Sequence, residues 1–191
     1  HIEQGPILES SNKGVGVFTR IAAQLRSEII LTGCAGHAGT IPARLRKDPL
    51  PVASEMVLAV NELCRSDERI RATVGQLEVI PNASNVIPGQ VKFSIDMRHP
   101  DMEGLKLAHD KLTKKIEWIA KRSNLELGYK VVHQARDARL DDKLTDALDE
   151  SCEALQGSSM RMFSGAGHDG MKLAQVCPTG MLAVRCKDGL S

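Results

Sequence analysis

Two short clusters near the start of the sequence hold side chains that could take part in catalysis or metal binding. The first, residues 1–9, places the imidazole of His1, two carboxylates and the amide of Gln4 around a turn. The second, residues 33–42, holds His37 among three glycines, which allow close backbone approach on a tight loop. A histidine among polar or glycine neighbours is also common on an ordinary surface, so neither cluster alone identifies a site.

Two further clusters join polar side chains to turns. Residues 82–89 form a turn rich in Asn, Pro and Gly, which leads into a strand that delivers Arg98. An arginine fork beside an amide such as Asn85 can bind a carboxylate, although a solvated arginine is an equally ordinary interpretation. Residues 164–169 precede a predicted helix whose first N–H groups can hold an anion. Without a Gly-Lys-Ser/Thr sequence or a Gly-x-Ser-x-Gly elbow, neither a phosphate loop nor a serine hydrolase is indicated.

Regular apolar patterns predict the elements that would position these clusters. Alternation of apolar side chains predicts four strands, over residues 24–33, 72–80, 91–97 and 125–132. Asp48 and Pro49 predict the start of one helix, and Asp101 opens a second. The resulting β-α-β-β-α-β order predicts an α+β domain, in which both helices cover one face of an antiparallel sheet.

The flanking residues show a different pattern. Residues 141–156 predict an amphipathic helix, and a glycine-rich turn, a helix near 168–176 and a strand over 179–184 follow it. This alternation is typical of the edge of an α/β domain. We therefore predict partial segments of that domain over residues 1–22 and 136–191, with residues 23–135 inserted between them. The chain begins inside a motif and without Met, so we expect both ends to be cut.

Composition narrows the class of protein. The 25 basic and 24 acidic residues nearly cancel and form no long run, and aromatic residues make up only 3%, which argues against a nucleic-acid or membrane-surface partner. No signal peptide is visible, and no apolar run approaches the ~20 residues that span a bilayer. The five cysteines lack metal or redox spacing, so we expect reduced, mostly buried thiols in a cytoplasmic protein.

Five motifs occur together and in order: His-Ile-Glu-Gln-Gly-Pro, Gly-His-Ala-Gly-Thr-Ile-Pro, Asn-Val-Ile-Pro-Gly, Ser-Gly-Ala-Gly-His-Asp and Asp-Gly-Leu-Ser. The set resembles the ureido and carbamoyl amidohydrolase branch of the aminoacylase-type dinuclear metallopeptidase superfamily. This branch includes allantoate amidohydrolases, N-carbamoyl-L-amino-acid hydrolases and β-ureidopropionase. The resemblance implies that the inserted domain is a lid and dimerisation domain, and that the flanking segments belong to a metallohydrolase catalytic domain.

The resemblance also implies roles for individual residues. His1 would ligate one of two divalent metal ions, Zn or Mn, and Gln4 would contact the ureido end of the substrate. The backbone of Gly165 and Gly167 would line the same pocket. The neighbouring His168 and Asp169 are expected to be structural neighbours of the site, not ligands.

The inserted domain would add three more residues. His37 would stabilise the oxyanion of the tetrahedral intermediate, and Asn85 and Arg98 would hold the substrate carboxylate. The implied activity is metal-dependent hydrolysis of a ureido or carbamoyl C–N bond, in allantoate (purine catabolism) or an N-carbamoyl-L-amino acid, by a homodimer joined through the lid. His37 would reach the active site of the partner subunit.

Two other functions remain open from the sequence. The first is an aminoacylase or peptidase with the same metal centre, and the second is a non-catalytic dimerisation module. In the family pattern the other metal ligands lie before His1 or after Ser191. We therefore expect the 191-residue chain itself to hold no dinuclear centre, to be inactive and to be poorly packed in its flanking segments.

Overall fold

The computed structural model describes residues 1–190, and Ser191, the last residue of the Asp-Gly-Leu-Ser motif, lies outside the described residues. Five α-helices and eleven strands follow one another along residues 1–190. In order they are α1 (Ile7–Ser10), β1 (Val15–Ile21), β2 (Ala23–Thr32), β3 (Gly36–His37), α2 (Pro49–Ser66), β4 (Arg71–Thr73), β5 (Leu77–Ile80), β6 (Val86–Ile87), β7 (Gln90–His99), α3 (Met102–Arg122), β8 (Glu126–Ala135), β9 (Ala138–Arg139), α4 (Asp142–Gln156), β10 (Arg161–Ser164), α5 (Gly170–Leu173) and β11 (Met181–Val184).

The chain divides into two compact units. One, which we call the inner unit, comprises Gln24–His99 and Glu103–Ala135. The other, the flanking unit, comprises His1–Ala23, Pro100–Met102 and Arg136–Ser191. The flanking unit is therefore assembled from three separate stretches of chain, and each unit is described below by itself.

The inner unit is built on a sheet with the strand order β4-β7-β2-β8, in which β5 also pairs with β7. Strand β7 alternates strictly between buried and half-buried residues, because helices cover only one of its faces. The predicted antiparallel α+β fold is confirmed. The continuous strand predicted over 72–80 is wrong: regular pairing with β7 is interrupted at residues 74–76, so β4 and β5 are separate strands along the same edge of β7.

Both long helices begin where their capping residues predict and cover the apolar face of this sheet. The side chain of Asp48 accepts a hydrogen bond from the Leu50 N–H at the start of α2. Helix α3 is tied to the same face by a chain of hydrogen bonds. His109 Nε2 lies 2.9 Å from the Tyr129 hydroxyl, which donates to the buried Ser27 Oγ, also at 2.9 Å.

The flanking unit is built around β1. Strand β10 pairs with β1 in parallel, whereas β11 and β9 pair with it antiparallel. Helix α4 starts at the cap residue Asp141, as predicted, and lies against β1. The apolar centre consists of six buried side chains: Leu8, Phe18, Ile21, Leu140, Met181 and Ala183.

Two expectations about the flanking segments need correction. The predicted helix over 168–176 is only the four-residue α5, because a Gly-rich turn precedes it and the chain turns away after Ala174. Poor packing is not found at β1, where Val17 and Phe18 are 0% and 1% exposed. β1 is covered by partners on both edges and by α4, and this explains its burial.

The cysteines are less buried than expected. All five are unpaired in the described part of the chain, but only Cys152 is buried, while Cys34 and Cys177 are exposed. Both exposed cysteines lie in loops next to glycine or proline, where little side-chain mass covers them. Among residues 1–190, no helix has the length and apolar character needed to cross a membrane.

Candidate functional site

In the flanking unit, His1 lies at the edge of a cavity of about 430 Å³. The backbone of β11 positions it, because Val184 N–H donates to the His1 carbonyl at 2.9 Å. The remaining lining residues are Ile2, Gln4, Gly167, His168 and Asp169. The structure thus brings His1, Gln4 and Gly167 together at one cavity, as a shared role at the ureido end would require.

Two side chains that the sequence reading treated as neighbours contact His1 directly. Asp169 Oδ1 lies 3.0 Å from His1 Nε2, and the His168 ring centroid lies 4.5 Å from that of His1. His168 Nε2 is in turn 2.6 Å from the buried Ser164 hydroxyl. Burial lowers the pKa of His168, despite the opposing charge of Asp169. His168 is therefore neutral near pH 7 and can share a neutral hydrogen bond with Ser164.

The remaining polar groups of this region serve the backbone. The Glu3 carboxylate is buried and accepts from the N–H groups of Ile7 and Leu8, at 2.8 and 3.0 Å. Glu9 accepts from the Asp188 N–H at 2.8 Å. Gly165 does not line the cavity that contains His1. Its expected backbone role therefore has no support from the cavity lining, because Gly167 alone of the two glycines reaches it.

A dinuclear metal centre does not fit the described residues. Among residues 1–190, no group of three or more His, Cys, Asp or Glu side chains is arranged to hold a metal ion. His1 and Asp169 form a pair, whereas a catalytic zinc usually takes about three protein ligands and a water molecule. No step of the chemistry below is therefore assigned to a metal ion.

In the inner unit, His37 and Asn85 lie side by side at one end of the sheet. Strands β3 and β6 pair there, with His37 opposite Val86, and the Asn85 carbonyl accepts from the Ala38 N–H at 2.9 Å. His37 Nδ1 accepts from the Gly39 N–H at 3.1 Å. The proton of the neutral imidazole therefore sits on Nε2, which gives this exposed ring an outward-facing hydrogen-bond donor.

Close backbone approach holds this end of the sheet in place. Gly33 N–H donates to the Gly89 carbonyl at 2.8 Å, which joins the end of β2 to the turn before β7. A Cβ at Gly33 would lie 2.0 Å from the Lys47 carbonyl oxygen, so only glycine fits. Gly33, in the motif around His37, thus allows the close backbone approach that the sequence predicted for these glycines.

Arg98 lies on the open face of the inner sheet, which is the face that α2 and α3 do not cover, and it is bound there by Asp96. Its Nε and Nη2 atoms donate to the two Asp96 carboxylate oxygens at 2.8 and 3.0 Å. Arg26 Nε donates to the same carboxylate at 2.8 Å. The three side chains, together with Arg71, line a cavity of about 710 Å³.

The charges of this cluster stabilise one another. Burial by itself would raise the pKa of Asp96, but the hydrogen bonds and charges of Arg98 and Arg26 outweigh it and hold that pKa below its usual value. The hydrogen bonds that Arg98 donates to Asp96 raise the pKa of Arg98. The Asp96 carboxylate is therefore ionised and the Arg98 guanidinium charged at neutral pH.

Asn85 and Arg98 are not brought together within the inner unit. Gln90 and Arg98 are eight residues apart on one continuous strand, so they are separated by about 26 Å at ~3.3 Å per residue. Asn85 lies in the turn beyond Gln90, further still from Arg98. Within one chain the two residues cannot hold the same carboxylate, because a small molecule is much shorter than this separation.

Sequence reasoning missed Asp96, Arg26 and Asp169 as contacts of the proposed site residues. The spacing of Asp96 and Arg98 contained a usable signal, since residues i and i+2 on a strand share a face. Arg26 had no such signal, because its partner lies on a different strand. Asp169 directly follows His168 in the glycine-rich motif, but its contact with His1 spans 168 residues.

Comparison with known proteins supports the family suggested by the motifs. Residues 19–124, more than half of the chain, match the family described as Peptidase dimerisation domain. The chain belongs to this family. The similarity also extends beyond the matched range, because curated relatives align over the full length of this chain.

Two curated relatives and one solved structure illustrate this similarity. An N-carbamoyl-L-amino-acid amidohydrolase of Pseudomonas sp. (strain NS671) is 38% identical over 100% of this chain and 47% of its own length. An allantoate amidohydrolase of Bacillus subtilis (strain 168) is 36% identical with the same coverage. A crystal structure of a hydantoinase/carbamoylase-family amidase from Burkholderia multivorans superposes with a TM-score of 0.97 at 40% identity, covering 100% of this chain and 47% of that one. This dimerisation-domain chain therefore spans about half the length of the relatives it matches.

Proposed function

We propose that the protein containing this chain hydrolyses a ureido or carbamoyl C–N bond in a carboxylated small molecule, allantoate or an N-carbamoyl-L-amino acid. The support is the activity for which relatives that align with the whole of this chain, at 36–38% identity, are named. No feature of the described residues favours the aminoacylase or peptidase alternative. A purely non-catalytic module would have no need for the exposed His37 or for the His1 cavity.

Arg98 binds the substrate carboxylate in this proposal. A guanidinium is planar, always charged and has several N–H donors, so it matches a carboxylate in both charge and geometry. The cavity of about 710 Å³ beside Arg98 has room for a small molecule. Carboxylated ureido compounds would therefore be favoured over neutral amides.

His37 donates a hydrogen bond to the oxyanion that develops when water attacks the ureido carbon. Its outward Nε2–H is preset, because the Gly39 N–H holds Nδ1 as an acceptor. Such a donor stabilises the tetrahedral intermediate more than the planar ground state, an effect typically worth ~10²–10³ in rate. Asn85, next to His37, supplies a second polar contact with the same substrate.

We further propose that the protein acts as a homodimer whose sites are shared between subunits. The observation that carries this proposal is the separation of Arg98 from His37 and Asn85 at opposite ends of the inner sheet. If all three residues contact one substrate, Arg98 comes from one subunit and the pair from the other. A symmetric dimer would form two such composite sites.

His1, Gln4 and Gly167 would complete the site at the ureido end. Gln4 has an amide that can both donate to the ureido oxygen and accept from its NH2 group. Two divalent ions, Zn or Mn, belong to the proposal through the family resemblance, with His1 as one ligand and further ligands from outside this chain. We keep Gly165 in the proposal as a backbone contact, although it does not line the cavity.

Subunit mixing tests the shared site in the full-length protein. The variants His37→Ala and Arg98→Ala are each expected to lose at least about 100-fold in kcat/KM as homodimers. A heterodimer of the two contains one intact composite site and one doubly defective site. An equal mixture after subunit exchange should therefore recover about a quarter of the wild-type activity.

A second mixture provides the matched control. His37 and Asn85 lie at the same end of the sheet, so a heterodimer of His37→Ala and Asn85→Ala has no intact site and should recover nothing. Failure of the His37 and Arg98 mixture to regain activity, despite exchange proven by mass spectrometry, would rule out shared sites. Assay of N-carbamoyl against N-acetyl amino acids would separate the amidohydrolase proposal from the aminoacylase alternative.

A further inference from the structure

Asp96 occupies an unusual position on the open face of the inner sheet, because one carboxylate binds two guanidinium groups. Both of its oxygens accept from Arg98, and Oδ2 also accepts from Arg26. The Asp96 and Arg98 side chains are only 24% and 25% exposed, whereas Arg26 is 51% exposed. The inner pair is thus partly desolvated, and Arg26 covers it from the solvent side.

This arrangement fixes the direction of the Arg98 guanidinium. A two-point contact through Nε and Nη2 sets both the position and the plane of the group, which a single hydrogen bond would not do. Asp96 itself is immobilised by its strand and by Arg26. An arginine side chain carries many rotamers, and a ligand that must order it loses affinity in doing so.

We propose that Asp96 is a positioning residue that presets Arg98 for the substrate carboxylate, and that Arg26 holds Asp96 and offsets its charge. This inference rests on the proposed role of Arg98 in binding that carboxylate. Asp96 does not touch substrate; it acts through Arg98. Carboxylate recognition is thus the property of a three-residue cluster across β2 and β7.

The negative charge of Asp96 has a second effect, which opposes binding of the substrate carboxylate. A negative group beside Arg98 repels a second carboxylate, so its removal would by itself tighten binding. Arg26 counters this repulsion, because its positive charge lies against the same Asp96 oxygen. With the repulsion offset, loss of orientation dominates when Asp96 is removed.

The experiment measures KM and kcat of the full-length protein with an N-carbamoyl amino acid and with its neutral carboxamide analogue. Asp96→Asn should raise KM for the carboxylated substrate by about three- to tenfold, as expected for ordering one long side chain, with kcat within about twofold. KM for the neutral analogue should not change. Glu78→Gln is the matched control, because Glu78 lies opposite Lys92 on the same sheet but does not line the cavity beside Arg98, and it should leave both KM values unchanged.

Arg98→Ala separates the inference from the proposed function. If Arg98→Ala raises KM selectively for the carboxylated substrate while Asp96→Asn does not, Arg98 keeps its role and the positioning role of Asp96 is wrong. If Arg98→Ala has no effect, both proposals fail. A lower KM in Asp96→Asn would show that Asp96 competes with the substrate, which also overturns the inference.

A second variant covers the case in which Asp96→Asn does not fold. Arg26→Gln removes the support of Asp96 but leaves the Asp96–Arg98 contact, so it should raise KM for the carboxylated substrate by a smaller factor. An unchanged KM in a folded Arg26→Gln protein would remove Arg26 from the cluster. Fluorescence of Trp118, in the same unit, reports whether each variant is folded.

Discussion

The two compact units bury their apolar side chains in different ways. In the inner unit, α2 and α3 cover one face of the sheet, so buried and half-buried residues alternate along β7. In the flanking unit, β1 is covered on both faces, and Val17 and Phe18, which are consecutive, are both buried. One-sided burial leaves a period in the sequence and two-sided burial removes it. Because each unit buries apolar side chains of its own, we expect the two units to unfold independently.

The largest expected effect is the loss of stability when either of two equally buried phenylalanines is replaced by alanine. Phe93 in β7 and Phe18 in β1 are each 1% exposed, so Phe→Ala at either position should cost about 3–5 kcal/mol of stability in its own unit. Trp118 is the single tryptophan of the chain and lies in the inner unit. The unfolding transition followed by its fluorescence should therefore shift to a lower denaturant concentration in Phe93→Ala and remain nearly unchanged in Phe18→Ala.

Far-ultraviolet circular dichroism provides the second probe, because it reports both units. In Phe18→Ala it should show an early transition that Trp118 fluorescence lacks, in contrast to two-state unfolding. Coincident transitions by both probes in Phe18→Ala would mean that the two units unfold together. The expectation that the two units unfold independently would then be wrong.

The sequence predicted the long elements of the inner unit well, because burial on one side leaves a regular apolar pattern. Strand β7 and helices α2 and α3 each bury one face, and their predicted starts lie within one or two residues of those observed. Strand β1 was not assigned, because burial on both faces leaves no alternation. The predicted strand over 72–80 was too long. The interruption of strand pairing at residues 74–76 leaves no sequence pattern that distinguishes these residues from a strand.

The sequence proposes individual candidate site residues but does not show how they are arranged. Motif resemblance singled out His1, His37, Asn85 and Arg98 without showing which of them meet. The length of β7 places Arg98 far from Asn85, and this could have been read from the predicted strand. The contact between Asp169 and His1 joins residues at opposite ends of the chain, and no local pattern specifies such a contact.

A glycine pair gives the next largest effect and tests the His37 loop. A Cβ at Gly33 would meet the Lys47 carbonyl oxygen at 2.0 Å, whereas at Gly75 none of the described residues lies within 4 Å of the added atom. Gly33→Ala should destabilise the inner unit by about 1–3 kcal/mol, because backbone must move to relieve the clash. Gly75→Ala should be neutral or slightly stabilising, through the less flexible unfolded chain.

Denaturant unfolding followed by Trp118 fluorescence measures both glycine variants. The activity of the full-length Gly33→Ala protein should fall further than its stability alone explains, because the displaced loop includes His37. Equal stability of the two variants would show that the approach between Gly33 and Lys47 relaxes without cost. The structural account of the loop would then be wrong.

The smallest expected effect is a pH dependence that is specific to the open face of the inner unit. The folded protein holds the pKa of Asp96 below its ordinary value of ~3.9, so ionised Asp96 stabilises the fold above about pH 4. That contribution is lost as the pH falls through the lowered pKa, because the folded and unfolded states then both carry protonated Asp96. Its size should be at most about 1 kcal/mol, since the cluster is partly exposed.

The test compares wild type with Asp96→Asn, whose side chain resembles the protonated acid. At pH 7 the variant should have a lower free energy of unfolding than wild type, measured by denaturant unfolding followed by Trp118 fluorescence. The difference should shrink as the pH falls below about 4. Acid-induced losses from other carboxylates cancel in the difference, so the comparison isolates Asp96. A difference that stays constant between pH 7 and pH 3 would mean that Asp96 is not stabilised by its charge, and that the arginines beside it do not act on it as the geometry indicates.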